Sequence, residues 1–95
     1  MSKIKFIKAE PASMKKYSAF IPRDIWNKYY PDKPINRPHK RVSFGSLPYQ
    51  HYEDKIGHYS HLNHYDENRR KNYYKRFGKK ADVFTPKWFS HNYLW

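Results

Sequence analysis

Residues 66–78 read Asp-Glu-Asn-Arg-Arg-Lys-Asn-Tyr-Tyr-Lys-Arg-Phe-Gly and carry the clearest secondary-structure signal in the chain. Asp66 is a favourable N-cap, and acidic residues in the first turn with basic residues in the last complement the helix dipole. Gly78 suits the position just beyond a helix, where φ is often positive. The stretch therefore predicts a helix over residues 66–77.

A second helix is predicted over residues 22–30. Pro22 is tolerated in the first turn of a helix, whereas Pro31 would break its interior and so marks the end. The spacing places four large residues on one face of this helix: Ile25, Trp26, Tyr29 and Tyr30.

The third predicted helix covers residues 86–93, because Thr85 and Pro86 are typical of an N-cap followed by the first helical position. This segment brings together a cluster of large side chains: Trp88, Phe89, Tyr93, Leu94 and Trp95. Such an apolar end is rarely left in water. We expect it to anchor in a pocket, either between the subunits of a larger assembly or against residues 40–45 of its own chain.

Strand signals are fewer. Ile4 and Phe6 alternate with lysines, which is the pattern of a short strand with one apolar face. Residues 41–44 are predicted to form a second short strand. Pro11 weakly indicates a helix that runs through Tyr17.

The composition favours a chain that orders against a partner and not around a core of its own. Its 95 residues include only six Ile, two Val and three Leu, and the net charge is +12, a balance typical of disorder. Tyr, Phe and Trp nevertheless make up 20% of the chain, and each ring can bury about 150–250 Å². We therefore expect a small, mainly irregular, extended and partner-dependent fold with short helices and one or two short strands. The isolated chain should then lack a cooperative unfolding transition.

The length allows one domain at most. Residues 1–39 are predicted to form an extended or helical N-terminal arm, since Pro31, Pro34 and Pro38 favour extended backbone. Residues 40–95 form a basic region rich in aromatic side chains.

Several function classes are excluded or left without support. Cysteine is absent, so there are no disulfides, no cysteine-based zinc sites and no thiol nucleophile. No window approaches the ~20 apolar residues of a membrane span, and the N-terminus lacks the apolar run of a signal peptide. Neither a glycine-rich phosphate loop nor a nucleophile with a positioned base is present. We therefore predict no enzyme activity and no cofactor.

Four histidines are the only candidate metal ligands. His58, His61 and His64 recur at every third position, with His51 nearby, and three imidazoles could hold zinc with one position open. That spacing drifts around a helix, and no acidic ligand sits at motif spacing. Histidines that stack and form hydrogen bonds in an aromatic-rich loop are the favoured interpretation, so no metal site is predicted. A metal-dependent enzyme would rest on these four residues alone.

The predicted helix over 66–77 offers a candidate binding face. Arg69, Tyr73 and Arg76 lie at i, i+4 and i+7, with Arg70 and Tyr74 beside them. Arginine pairs with phosphate or carboxylate, and tyrosine can stack on bases. The same residue types are enriched at protein interfaces. Both a polyanion-binding face and a protein interface therefore remain open, and the second is favoured.

Residues 40–95 also contain a spaced pattern: Lys-Arg-Val-Ser-Phe-Gly at 40–45, Gly57, the block at 64–77, and a closing Leu94-Trp95. This pattern resembles a family of short basic proteins encoded by large double-stranded DNA viruses of algae and protists. Residues 46–56 are longer than the corresponding stretch of that family, and Phe77 stands where a histidine is common. The resemblance implies a viral setting and a non-enzymatic role, while any role of that histidine cannot be carried over.

Two functions follow as hypotheses. The leading one is a minor capsid protein in the virion of a large icosahedral DNA virus, fastening major and other minor capsid proteins. The alternative is a virion protein that binds or tethers the genome through its positive charge, although no Lys/Arg run exceeds three residues. The predicted partner-binding residues are Trp26, Tyr29, Tyr30, Arg69, Arg70, Tyr73, Arg76, Trp88, Phe89, Leu94 and Trp95.

Overall fold

An antiparallel sheet of three strands forms the centre of the computed structural model, which describes residues 3–47 and 49–95. The strands are β1 (Lys5–Lys8), β2 (Lys15–Pro22) and β3 (His39–Ser46), in the order β1-β2-β3. The central strand pairs Ala19 with Phe6 of β1 and Tyr17 with Phe44 of β3. Both predicted short strands are therefore present, and a third strand lies between them.

The helix predicted from Pro11 through Tyr17 is wrong. A single 3-10 turn covers Pro11–Ser13, Met14 adopts a φ of 59°, and β2 begins at Lys15. The strand was missed because most of its residues are buried on both faces of the sheet, so polar and apolar side chains do not alternate.

The described part of the chain contains three α-helices: α1 (Arg23–Tyr29), α2 (Glu67–Phe77) and α3 (Pro86–Tyr93). Of these, α1 and α3 pack against the sheet. A further 3-10 turn covers Ser60–Leu62. All three predicted helices are confirmed to within one residue at each end, and α1 begins at Arg23 because β2 extends through Pro22.

The predicted caps explain where α2 and α3 begin and end. The Asp66 carboxylate accepts hydrogen bonds from the backbone N–H groups of Asn68 and Arg69, and Gly78 ends α2 with a φ of 76°. The Thr85 hydroxyl oxygen accepts from the backbone N–H of Trp88, with Pro86 in the first turn of α3.

Aromatic side chains build a core within the chain itself. Five of its eight residues are aromatic. The core consists of Tyr17, Ala19, Ile21, Phe44, Tyr59, Phe84, Phe89 and Leu94. Phe44 stacks on Phe89 with ring centres 5.1 Å apart and on Tyr17 at 5.7 Å. The rings thus replace the aliphatic residues that the composition lacks.

The overall dimensions do not match an extended chain. The radius of gyration is 14.1 Å, against about 12 Å for a compact chain of this length and about 31 Å for an unfolded one. The predicted boundary between residues 39 and 40 falls inside β3, which begins at His39 and pairs with β2. Residues on both sides of that boundary share one sheet and one core.

The C-terminal cluster anchors against its own chain. Phe89 packs on Phe44, and a Cβ added at Gly45 would lie 3.0 Å from Leu94 Cδ1. The backbone N–H groups of Glu53 and Lys55 donate to the carbonyl oxygens of Leu94 and Tyr93, each at 3.0 Å. Of the two anchors considered for this cluster, the structure shows contact with residues 40–45. Phe89 and Leu94 are therefore core residues and present no surface to a partner.

The core makes a prediction about the isolated chain that reverses the expectation from composition. The wild-type chain should show a near-UV circular dichroism signal and unfold cooperatively in urea. Phe89→Ala should lose about 3–5 kcal/mol of unfolding free energy, because a buried ring is removed from a small core. The matched control is Phe77→Ala, since Phe77 is 44% exposed. A wild-type chain without a cooperative transition would contradict this core.

Candidate functional site

A cleft of about 840 Å³ opens between α2, the ends of β2 and β3, and the last residues of the chain. Arg69, Tyr73 and Arg76 of α2 line one side of it, and Trp95 lines another, with the buried Leu94 behind it. The helix face at i, i+4 and i+7 predicted from the sequence and the C-terminal cluster therefore meet at one site.

The cleft is strongly positive. Four basic side chains line its surface: Lys15, Arg69, Arg76 and Lys87. A fifth, Lys16, is buried beneath them, and no aspartate or glutamate among the described residues lines the cleft. Arg69 donates to Oε1 of Gln50 at 2.8 Å, which orients its guanidinium without neutralising it. Cations gathered around a concave surface concentrate their field there and attract anions.

A second cleft of about 860 Å³ lies on the other side of Lys87. Lys79 and Lys80 line it, together with Trp88 and a single acidic residue, Asp82. Because Lys87 lines both clefts, the positive surface continues from one into the other.

Helix α2 has no buried residue, and a few side chains fix its position. Tyr73 stacks on Trp95 with ring centres 4.4 Å apart and planes 3° from parallel. The hydroxyls of Tyr73 and Tyr74 form hydrogen bonds to Nδ1 and the carbonyl oxygen of His91, at 2.9 and 3.1 Å. Burial raises the pKa of Tyr73, so its hydroxyl stays protonated.

Arg70 differs from its neighbour Arg69. Its Nε donates to the backbone oxygen of Trp95 at 2.7 Å, and its guanidinium lies over the rings of Tyr52 and Tyr74. Arg70 therefore ties α2 to the last residues, whereas Arg69 and Arg76 face the cleft. The sequence pattern grouped these three arginines, and the structure divides them.

A buried lysine lies beneath the cleft. Lys16 on β2 is only 2% exposed, and its Nζ is 2.9 Å from Nδ1 of His51. A charged ammonium can only donate, so His51 Nδ1 accepts and its protonated Nε2 donates to Oδ1 of Asn63 at 2.6 Å. Burial lowers the pKa of Lys16 to about 8, although the nearby Asp54 carboxylate raises it.

Asp54 ends this buried network. Its two carboxylate oxygens accept from the Tyr17 hydroxyl and from three backbone N–H groups, those of Ile56, Gly57 and Tyr59. Burial alone would raise the pKa of Asp54, but these hydrogen bonds outweigh it and lower the pKa below its ordinary value. The carboxylate therefore stays ionised and holds residues 54–59 against β2.

The predicted residues of α1 form a different cluster. Trp26 stacks on Tyr30 at 4.5 Å, and Tyr29 meets Phe84 edge-on at 5.1 Å. The Tyr30 hydroxyl donates to the carbonyl oxygen of Val83. Trp26 and Tyr30 thus dock α1 on the turn before α3, and none of the three lines either cleft. Trp88 packs on Phe84 and lines the second cleft.

The four histidines do not converge. Among the described residues, no group of three or more His, Asp or Glu side chains is placed to hold a metal ion. His51 is buried between Lys16 and Asn63, while His58 and His61 are exposed. His64 Nδ1 accepts from the backbone N–H of Asp66.

Sequence reasoning missed Lys15, Lys16, Tyr49 and Lys87 at the cleft. It also considered His51 only as a candidate metal ligand and did not single out Asp54, whereas both belong to the network beneath the cleft. The partners of this network come from β2 and from a loop 35 or more residues later, so no local spacing could reveal them.

Comparisons with known proteins add no identification: no protein-family model, curated protein or solved structure matches this chain. Within residues 3–47 and 49–95, no helix has the length and apolar character needed to cross a membrane.

The buried lysine predicts an unusual pH dependence. Between the folded pKa of about 8 and the ordinary value of 10.5, the unfolded chain keeps a proton that the folded chain has lost. Unfolding free energy should therefore rise with pH in this window. Urea titrations from about pH 7.5 to 9.5 avoid most tyrosine ionisation, which begins near pH 10.

Lys16→Met should flatten this rise, because it removes the titrating group and keeps the apolar stem. Lys15→Met is the matched control on the same strand and should retain the rise. Equal slopes in the two variants would show that Lys16 does not titrate in this way.

Proposed function

We propose that this protein is a non-enzymatic virion protein that binds the viral nucleic acid through the positive cleft. The observation that carries the proposal is the set of basic side chains lining the cleft without an acidic residue beside them in the described chain. Nucleic acid is a polymer that carries many phosphate anions, and contacts between these phosphates and basic side chains dominate its affinity for proteins. The viral setting rests on the resemblance of residues 40–95.

The charge balance of the whole chain supports this proposal. In the described residues, the only ion pair joins Arg70 and Glu67 at 4.0 Å, and both side chains are largely exposed. The net charge of +12 is therefore left almost entirely to solvent or to a partner. An anionic polymer releases counterions when it binds such a surface, and this release favours association.

Binding to DNA at several salt concentrations tests the proposal. The triple variant Arg69→Gln, Arg76→Gln, Lys87→Gln should reduce the log–log salt slope by about two to three units, one for each lost phosphate contact. A matched triple variant, Lys3→Gln, Lys5→Gln, Lys8→Gln, removes the same charge outside the cleft. It should change the slope much less. Equal effects of the two variants would assign binding to net charge alone and refute the cleft.

A second candidate is the minor capsid protein that fastens neighbouring subunits. Large apolar side chains on the surface favour it: Ile7 is 50% exposed, Met14 58%, Tyr29 55% and Tyr65 57%. Such residues are suited to interfaces. The composition suggested that the chain orders only against a partner, which favoured a fastening role. That support is weakened because eight residues pack into a core within the chain itself. We therefore favour nucleic-acid binding over capsid fastening.

Particle assembly separates the two candidates. If the exposed apolar residues dock on capsid proteins, Ile7→Ser with Tyr29→Ser should lower incorporation into particles and leave genome content normal, because aromatic anchors often contribute at least ~2 kcal/mol. The cleft triple variant should instead enter particles and lower their nucleic-acid content. Normal incorporation of the serine variant would exclude this surface as the fastening site.

A further inference from the structure

We infer that the cleft selects single-stranded nucleic acid, with Tyr49 and Phe77 as platforms on which unpaired bases stack. The inference rests on the proposed nucleic-acid function and adds the class of strand that the site takes. It is carried by two exposed rings that line the same cleft as Arg69 and Arg76. Grooves that combine cations with accessible aromatic faces are typical of single-strand binding.

Tyr49 is the more accessible ring. It is 69% exposed, and it stacks on no other ring in the described part of the chain. The next residue, Gln50, accepts the hydrogen bond from Arg69, and Tyr49 lines the same cleft as that oriented guanidinium. A base on Tyr49 would therefore have its backbone phosphate within the field of Arg69.

Phe77 offers a second platform at the end of α2. It is 44% exposed, and the Arg76 guanidinium lies 5.2 Å from the centre of its ring. Tyr73 approaches at 5.0 Å with the planes tilted by 49°, which still leaves part of the Phe77 surface open. By contrast, Tyr73 and Trp95 already cover one another in their parallel stack. Tyr49 is thus open, Phe77 is partly covered by Arg76 and Tyr73 but remains 44% exposed, and the two inner rings hold the helix.

The cleft suits an unpaired strand better than a duplex. At about 840 Å³ it falls within the range of pockets that enclose small ligands, about 300–1,000 Å³. Bases in a duplex are stacked on one another and present only their edges in the grooves. The face of an unpaired base is free, so such a base can stack on the exposed aromatic rings of the cleft.

The second cleft favours a polymer over a free nucleotide. Lys87 lines both clefts, and Lys79 and Lys80 continue the positive surface beyond it. A strand whose bases reach Tyr49 and Phe77 could pass its following phosphates along Lys87. A lone nucleotide would leave those lysines without an anion.

Fluorescence anisotropy with three labelled probes tests this inference at one salt concentration: a 20-nucleotide oligo(dT), an abasic sugar–phosphate strand of equal length, and a 20-base-pair duplex. We expect oligo(dT) to bind most tightly, because only it offers free bases together with phosphates. Tyr49→Leu and Phe77→Leu should each weaken oligo(dT) binding about fivefold or more, since leucine keeps apolar bulk but has no π face. Neither should change abasic or duplex binding.

Tyr29→Leu is the matched control, because Tyr29 is similarly exposed but lies on α1 outside both clefts. It should bind all three probes as the wild type does. Unchanged oligo(dT) binding by both platform variants, or equally strong duplex binding, would overturn the single-strand inference. The cleft charge variant would still lower the salt slope in that case, so nucleic-acid binding would stand. An unaltered slope in the charge variant would refute the proposed function itself.

Discussion

The buried carboxylate of Asp54 is the contact on which the arrangement of the second half of the chain depends. It satisfies three backbone N–H groups of a segment with little regular structure and binds the Tyr17 hydroxyl on the central strand. The residues flanking it, Glu53 and Lys55, donate backbone hydrogen bonds to the last turn of the chain. A single ionised side chain therefore joins the sheet, the loop and the C-terminal cluster. Losing a buried carboxylate of this kind would leave several donors without acceptors.

The position of α2 follows from that anchoring. The helix buries no residue of its own, and it reaches the body of the protein through Tyr73, Tyr74 and Arg70. Two of these contacts go to Trp95, which follows two residues whose carbonyl oxygens accept backbone hydrogen bonds from Glu53 and Lys55. The cleft between α2 and the sheet is consequently a product of long-range contacts, and only two of its basic side chains, Arg69 and Arg76, come from the local sequence of α2.

This division explains which features the sequence could predict. The caps of α2 and α3 lie within three residues of the groups they satisfy, so Asp66, Gly78 and Thr85 marked the helices. The face of Arg69 and Arg76 followed from helical periodicity. Strand β2 was missed because burial on both faces removes the alternation of polar and apolar residues that identifies a strand. The core was not predicted because the chain has few aliphatic residues and builds its core mainly from aromatic rings. The pairing of Lys16 with His51 spans 35 residues and leaves no periodic trace.

The contacts that hold the fold and the charges that could bind a partner are largely separate. Ring stacks, backbone hydrogen bonds and a buried polar network join the elements, and the described chain has only one weak ion pair. Directional contacts of this kind depend little on ionic strength, whereas the attraction of exposed lysines and arginines for phosphate is screened by salt. Like charges crowded around the cleft also raise the free energy of the folded state until an anion binds. A ligand that binds only the folded chain stabilises it by mass action. The contacts that hold the fold therefore depend little on salt, whereas the repulsion around the cleft and the affinity for a polyanion are both weakened by it.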